Sequence, residues 1–382
     1  MRIDFVALRE LQMKLRSPFE TSFGTTVNRR VLLVEVRSEG ATGWAEITTP
    51  EGPFYNAETT DSAWHVFQDF IVPMVLGKSV ERAADATLLM QGIRGNEMAR
   101  AGFENALWVI EAIAKQQPLS KLLGGQREEI ASGVSLGIQA DTSVLLEKIQ
   151  QELEAGYRRI KLKIKPGMDL QVVRQVREKY PTIPLMVDAN SAYRLEDAPL
   201  LKELDAFDLM MIEQPLNWDD IYLHSLLQKQ LKTPICLDEC IHNAGHARAA
   251  IEMHACGIIN IKLGRVGGHS EARHIHDVCL HRNVPVWCGG MLESGVGRAH
   301  NVAMSALPGF VLPGDVSASR RYWEEDIIEP EIEVRSNGTI PVPKTPGLGY
   351  EVNEDRVKRL TVREQEWRAT SEVPVGALPN SV

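Results

Sequence analysis

The sequence predicts an α/β protein in which about eight parallel strands alternate with helices, and three observations carry that prediction. Short apolar, β-branched runs recur through the middle of the chain. Stretches with helical spacing separate them. One ionisable residue stands near the end of each of five consecutive runs. Barrels of this class reach ~250 residues as one domain, so a chain of 382 residues has room for a second folding unit. With 44% hydrophobic and 24% charged residues, the composition is that of a globular protein and excludes a disordered or fibrous one. A net charge of −9 argues against a nucleic-acid partner, which wants a basic face. No apolar run approaches the ~18 residues of a membrane span. Met1-Arg2-Ile3-Asp4 puts charge where a signal peptide needs apolar residues. Five scattered cysteines suit a reducing compartment, and the expected location is cytoplasmic.

Taken in order, residues 31–36 (Val-Leu-Leu-Val-Glu-Val) read as a strand, with Arg29 and Arg30 at its solvated start. Apolar residues recur at helical spacing from about 56 to 116, until Gly124-Gly125 breaks the pattern. The strand candidates that follow are 131–138, 159–164, 185–187, 209–212, 235–237, 258–261, 284–287 and, more weakly, 310–312. Amphipathic stretches such as 142–155 and 270–281 lie between them. Eight such strands close a (β/α) barrel. The competing arrangement is a doubly wound open sheet, but no Gly-x-Gly-x-x-Gly opens a helix, and residues 264–268 do not fit that fingerprint. From Tyr322 the chain is richer in Glu and Pro, and 373–379 read as a loose tail.

The five ionisable residues are Lys163, Asp188, Glu213, Asp238 and Lys262, at steps of 25, 25, 25 and 24 residues. Such a step is one strand plus one helix, so the five occupy equivalent positions at the face where barrels build their sites. Crowded carboxylates repel one another unless a cation is present. All-oxygen ligands suit Mg²⁺, with Mn²⁺ possible, whereas His242 and His246 lack the Glu of a zinc-binding helix. The competing reading of Asp188 is a helix N-cap. In Lys161-Leu162-Lys163-Ile164-Lys165, alternation puts the lysines on one face, which must be the barrel interior if helices cover the other. Lys161 beside Lys163 would lower the pKa of Lys163 by like-charge repulsion, as a general base near neutral pH requires. Lys262 comes from four strands further round, the opposite wall.

Lys161-x-Lys163, Asp188, Glu213, Asp238 and Lys262 in this order resemble the enolase superfamily, in its muconate-lactonizing-enzyme-like branch. Residues 157–167, 262–268 and 285–291 narrow the resemblance to the o-succinylbenzoate synthase / N-acylamino acid (N-succinylamino acid) racemase family. The resemblance implies a modified (β/α)7β TIM-type barrel over 126–321 under an α+β capping domain, made from 1–125 and completed by 322–382. It implies Mg²⁺ held by Asp188, Glu213 and Asp238, with Lys163 and Lys262 as the acid/base pair and Lys161 assisting. Ser135, Asn190 and the backbone of Gly289, Gly290 and Met291 would contact substrate, Glu239 and Arg265 would support the set, and residues 18–24 and 51–55 would close the site. Cys240 stands where relatives often have Ser, a change confined to supporting contacts. Asp315-Val316-Ser317 lacks the second Asp of dipeptide epimerases, and a lysine on the far wall disfavours mandelate-racemase-like chemistry.

The reactions so implied are dehydration of 2-succinyl-6-hydroxy-2,4-cyclohexadiene-1-carboxylate in menaquinone biosynthesis and racemisation of N-succinylamino acids, both through an enediolate. The expected partners are a small carboxylate substrate and further copies of the chain, as a dimer or octamer. Arg265 has two readings, a residue that keeps Lys262 neutral and a solvated arginine at a loop start. A Schiff-base aldolase using either lysine and a non-catalytic binding barrel are the alternatives from other classes.

Overall fold

The apolar centre of the strand at 31–36 organises an antiparallel sheet in the computed structural model, which describes residues 1–139 and 141–370. The tail expected at 373–379 lies outside the described residues. Strand β1 (Phe5–Thr21) pairs with β2 (Gly24–Ser38), and β2 with β3 (Ala41–Ile47). The β2–β3 connection is the pair Glu39-Gly40, both at positive φ, the backbone a tight hairpin turn demands. Val31, Leu32, Leu33, Val34 and Val36 are all fully buried. Helix α1 (Glu97–Ala114) covers one face so closely that a Cβ on Gly43 would stand 2.0 Å from the carbonyl oxygen of Ala106. The helical spacing expected over 56–116 is realised in pieces: Thr60–Val66 leads into a π turn at Phe67–Ile71, and α1 starts only at Glu97.

Seven short strands follow in one parallel sheet in chain order: β4 (Val134–Leu136), β5 (Ile160–Lys163), β6 (Leu185–Asp188), β7 (Ile212–Glu213), β8 (Ile235–Leu237), β9 (Ile258–Ile261) and β10 (Val286–Cys288). Residues 309–315 close the ring. Phe310 bridges Val286 and Gly314 bridges Ser132, both in parallel, and the Asp315 N–H donates to the Cys288 carbonyl at 2.8 Å. The sheet is therefore a barrel, and the open doubly wound alternative falls. The connecting helices are α2 (Thr142–Glu154), α3 (Leu170–Lys179), α4 (Ala198–Glu203), α5 (Tyr222–Gln228), α6 (Ala244–Glu252), α7 (His269–His281) and α8 (Gly295–Ser305). After residues 309–315 the chain leaves the barrel, and β11 (Thr361–Arg368) pairs antiparallel with β1.

Several boundaries differ from the sequence reading. The run at 131–138 is two strands, because Glu129–Ala131 turns away to pair with Thr339–Pro341. The runs at 209–212 and 284–287 pair only from Ile212 and Val286. Side chains alternate as expected. Leu162, Ile164, Val187, Leu237 and Ile261 join the large outer core, while Met186, Met211, Cys236, Ile258 and Trp287 form a separate cluster, an apolar plug inside the barrel. All five cysteines are free and buried. Among the described residues no helix is long and apolar enough to cross a membrane.

Candidate active site

Two residues along β6, β7 and β8 from this plug the inward positions are Asp188, Glu213 and Asp238, while β9 carries Asn260 and leads to Lys262. Lys163 and Asp188 are register partners on β5 and β6, and Asp188 and Glu213 on β6 and β7. The Lys163 Nζ donates to Asp188 Oδ2 at 2.6 Å and to Asn190 Oδ1 at 2.6 Å. On the opposite wall, the Lys262 Nζ donates to Asp238 Oδ2 at 2.8 Å and lies 4.4 Å from the centre of the Tyr55 ring. Asp188 is not a helix cap: its Oδ1 accepts from the Asn190 N–H at 3.0 Å, and the next helical residue is Leu195. Asn190 sits at φ 43°, a left-handed backbone that Asn tolerates better than most residues. Its amide also donates to Glu239 Oε1 at 2.9 Å, so Glu239 supports the residue that holds Lys163.

Lys161 is committed to three carboxylates: Asp315 Oδ2 at 2.6 Å, Glu213 Oε2 at 3.0 Å and Asp188 Oδ2 at 3.2 Å. Burial disfavours its charge, but Asp315, Glu213 and Asp188 overcome this and hold it well above the usual lysine range. Its charge is therefore compensated by these three carboxylates. One reading of Arg265 is corrected. It is fully buried, donating to the carbonyls of Ile241 (2.8 Å) and Asn260 (2.6 Å), to the Tyr55 hydroxyl (3.2 Å) and to Asp238, so it is no solvated loop arginine. Asp238 holds the Lys262 amine above the usual lysine range against the effect of burial.

Burial alone would raise Asp188, yet Lys163 and Lys161 hold it well below the usual carboxylate range. Asp238 is likewise lowered against its burial, by Lys262 and Arg265. Glu213 is pushed up to about 8 by burial and by Asp188, and Glu239 rises well above its ordinary value through burial and Asp238. Without a further cation the charged forms of Glu213 and Glu239 are thus disfavoured, and Glu239 Oε2 is buried with no partner among the described residues. Three carboxylates on adjacent strands fit a hard divalent cation in atom type and in charge. In their present rotamers they turn to the lysines, and among the described residues no three His, Cys, Asp or Glu groups converge on one point.

A cavity of about 770 Å³, its open mouth included, joins the two walls. Ser135, Lys161, Lys163, Asn190, Lys262, Gly290 and Met291 line it, and the Ser135 hydroxyl has no partner among the described residues. Gly289 does not reach the cavity. It lies behind Lys262, where a Cβ would stand 2.6 Å from the lysine Cε. The Met291 N–H is taken by Glu293 Oε1 at 2.8 Å, so that backbone donor is already satisfied. The segment at 18–24 is a hairpin tip that contributes Phe19, Thr21 and Phe23 to the cavity, and Thr26, paired to Phe19 across the hairpin, lines it as well.

Four residues of the site have no individual role in the sequence reading, although it names Asp315 and places Tyr55 in a closing segment. Asp315 ends the segment that closes the ring and bridges Lys161 to Arg159 Nη1, the latter at 2.7 Å; its position just past the strand candidate at 310–312 was the available signal. Tyr55 reaches in from the segment at 51–55 and donates to Asp238 Oδ1 at 3.1 Å. Glu293 lines the cavity. So does Arg29, a nearly buried residue where a solvated strand start was expected.

A closed barrel whose strand ends present carboxylates between two opposed lysines defines an enzyme of the acid–base barrel class. Residues 144–356 match the enolase C-terminal domain-like family, and residues 3–124 match the mandelate racemase / muconate lactonizing enzyme N-terminal domain. The chain belongs to the enolase superfamily. It is 51% identical to an o-succinylbenzoate synthase of Geobacillus kaustophilus, over 94% of this chain and 96% of that one. It is 46% identical to an N-succinylamino acid racemase of an Amycolatopsis species, over 91% and 95% of the two chains. A solved structure of an enolase-superfamily member from Listeria innocua superposes with a TM-score of 0.93 at 40% identity, covering 97% of this chain and all of the other.

Proposed function

We propose that this chain removes the proton α to a substrate carboxylate, acting as an o-succinylbenzoate synthase that also racemises N-succinylamino acids. The carrying observation is the placement of Lys163 and Lys262 at the ends of strands four apart in a seven-stranded ring closed by residues 309–315, with both amines on one cavity. Asp188, Glu213 and Asp238 are the residues to hold Mg²⁺, with Mn²⁺ as a substitute. When bound, the ion offsets the negative charge that develops on the substrate carboxylate as the proton leaves.

In dehydration, the Lys163 amine takes the α proton and, as the ammonium, delivers it to the departing hydroxide, which leaves as water. Asp188 and Asn190 hold that amine in place, and Lys262 faces the planar intermediate as a cation. In racemisation, one lysine removes the proton and the other returns one to the opposite face. Lys161 keeps Glu213 and Asp315 in register and moves no proton in the reaction. The hairpin tip and the segment around Tyr55 cover the cavity and exclude water.

The same reading assigns residues 1–125 and 322–382 to the capping domain and 126–321 to the barrel. It also assigns the dehydration to menaquinone biosynthesis, in a cytoplasmic dimer or octamer. The test is a side-by-side assay of both reactions with Mg²⁺ and with a chelator. Both reactions are expected, and both stop with the chelator. Activity that survives chelation, together with borohydride trapping of a substrate adduct, would replace this reading with Schiff-base chemistry.

A further inference from the structure

Four cations line the cavity: Lys161, Lys163, Lys262 and Arg29. The three lysines each hold a carboxylate within 3.2 Å. Arg29 holds none among the described residues. It is 5% exposed, Nη1 donates to the Thr49 carbonyl at 3.2 Å, and Nε and Nη2 are buried without a partner among the described residues. Glu46, Glu293 and Glu51 act on its charge through space but do not pair with it. Glu46 spends one oxygen on the Ser294 N–H and hydroxyl, and burial pushes it up to about 8, so it is largely protonated at neutral pH. Glu293 spends Oε1 on the Met291 N–H and the Asn301 amide.

A buried guanidinium with two free donors is costly until an anion completes it, and its planar fork suits a carboxylate better than an ammonium does. The apolar residues Phe19, Pro50, Met291 and Leu292 line the same cavity, giving a methylene chain its wall. We propose that Arg29 is the receptor for a second, distal carboxylate of the substrate, and so a specificity-determining residue for succinyl-type substrates. The inference rests on the preceding reading, in which the reacting carboxylate lies between the lysines.

The experiment compares full-length wild type, Arg29→Met and Arg29→Lys, with Mg²⁺, on N-succinylphenylalanine and N-acetylphenylalanine, which differ in the distal carboxymethyl group. In Arg29→Met the ratio of kcat/KM for the succinyl over the acetyl substrate should fall about 30-fold, the size of a lost charge-assisted pair. The fall should be carried by KM, and Arg29→Lys should recover part of it. Arg29→Lys keeps a cation in place if Arg29→Met folds poorly, and it alone should still lower the ratio. An unchanged ratio in both variants overturns the inference and makes Arg29 a wall residue facing Glu46. If wild type turns over neither compound, the racemase part of that preceding reading falls. Calorimetric binding of the two compounds then still decides the inference by the same ratio.

Discussion

Gly289→Ala displaces the far-wall lysine without removing any charge. The added Cβ would stand 2.6 Å from Lys262 Cε, 2.5 Å from Asn260 Oδ1 and 2.6 Å from Asn260 Nδ2. Ordinary carbon contacts begin near ~3.5 Å, so one or both side chains must give by about 1 Å. Asn260 is fully buried and donates to Glu213 Oε1 at 2.8 Å, which leaves the lysine as the more yielding partner. Misplacing a reacting group by about 1 Å costs ~10²-fold in rate, and overpacking costs ~1–3 kcal/mol of stability. Gly290→Ala is the matched control, because its Cβ would meet nothing closer than the Asp315 carbonyl oxygen at 3.0 Å. Steady-state kinetics of both reactions, with melting curves, should show Gly289→Ala slowed about a hundredfold in racemisation and Gly290→Ala no more than about tenfold. A Gly289→Ala enzyme within threefold of wild type, or one faster than Gly290→Ala, would refute the reasoning.

Two further outcomes concern the scaffold. Arg265→Met leaves the Ile241 and Asn260 carbonyls without their donor and Asp238 without a buried partner, so stability should fall by ~3–5 kcal/mol. Arg282→Met, which removes an exposed pair with Glu252, should change it by less than ~0.5 kcal/mol; thermal melts compare the two. His224 accepts the Leu216 N–H on Nε2, contacts the Asp220 carbonyl through Nδ1, and is lowered to about 4 by burial. Unfolded, it titrates near ~6.5, so the unfolded chain takes up the proton first as pH falls. Its contribution is complete above that value and is lost towards pH 4, by ~3 kcal/mol. His224→Asn should therefore flatten the stability–pH curve between those limits, and an unchanged slope would contradict the neutral, buried assignment.

The barrel and its charged layer were legible because both follow a local rule. The 25-residue step fixes which residues share a strand position, and alternation along Lys161-Leu162-Lys163-Ile164 fixes which face they take. What escaped depends on distant partners. β11 is polar and half exposed along its length, so only its pairing with β1 makes it a strand. β1 opens with four buried residues in succession, and two covered faces erase the alternation that marks a strand. Asp315 acquires its role from Arg159 and Lys161, more than 150 residues earlier in the chain. Arg29 looked solvated because charge beside an apolar run is usually exposed. The register that pairs Met13 with Arg29 and the barrel above it bury that arginine instead. Arg265 was ambiguous for the same reason, since nothing near it in sequence announces Asp238 and Tyr55.

The central claim is that two lysines act on opposite faces of one α carbon. It is tested most directly by following α-deuterium exchange from D₂O into each enantiomer of an N-succinylamino acid, with Lys163→Ala and Lys262→Ala beside wild type. Wild type should exchange both enantiomers, and each variant should lose exchange at one enantiomer, a different one in each case. Loss at the same enantiomer in both variants, or at neither, would contradict it.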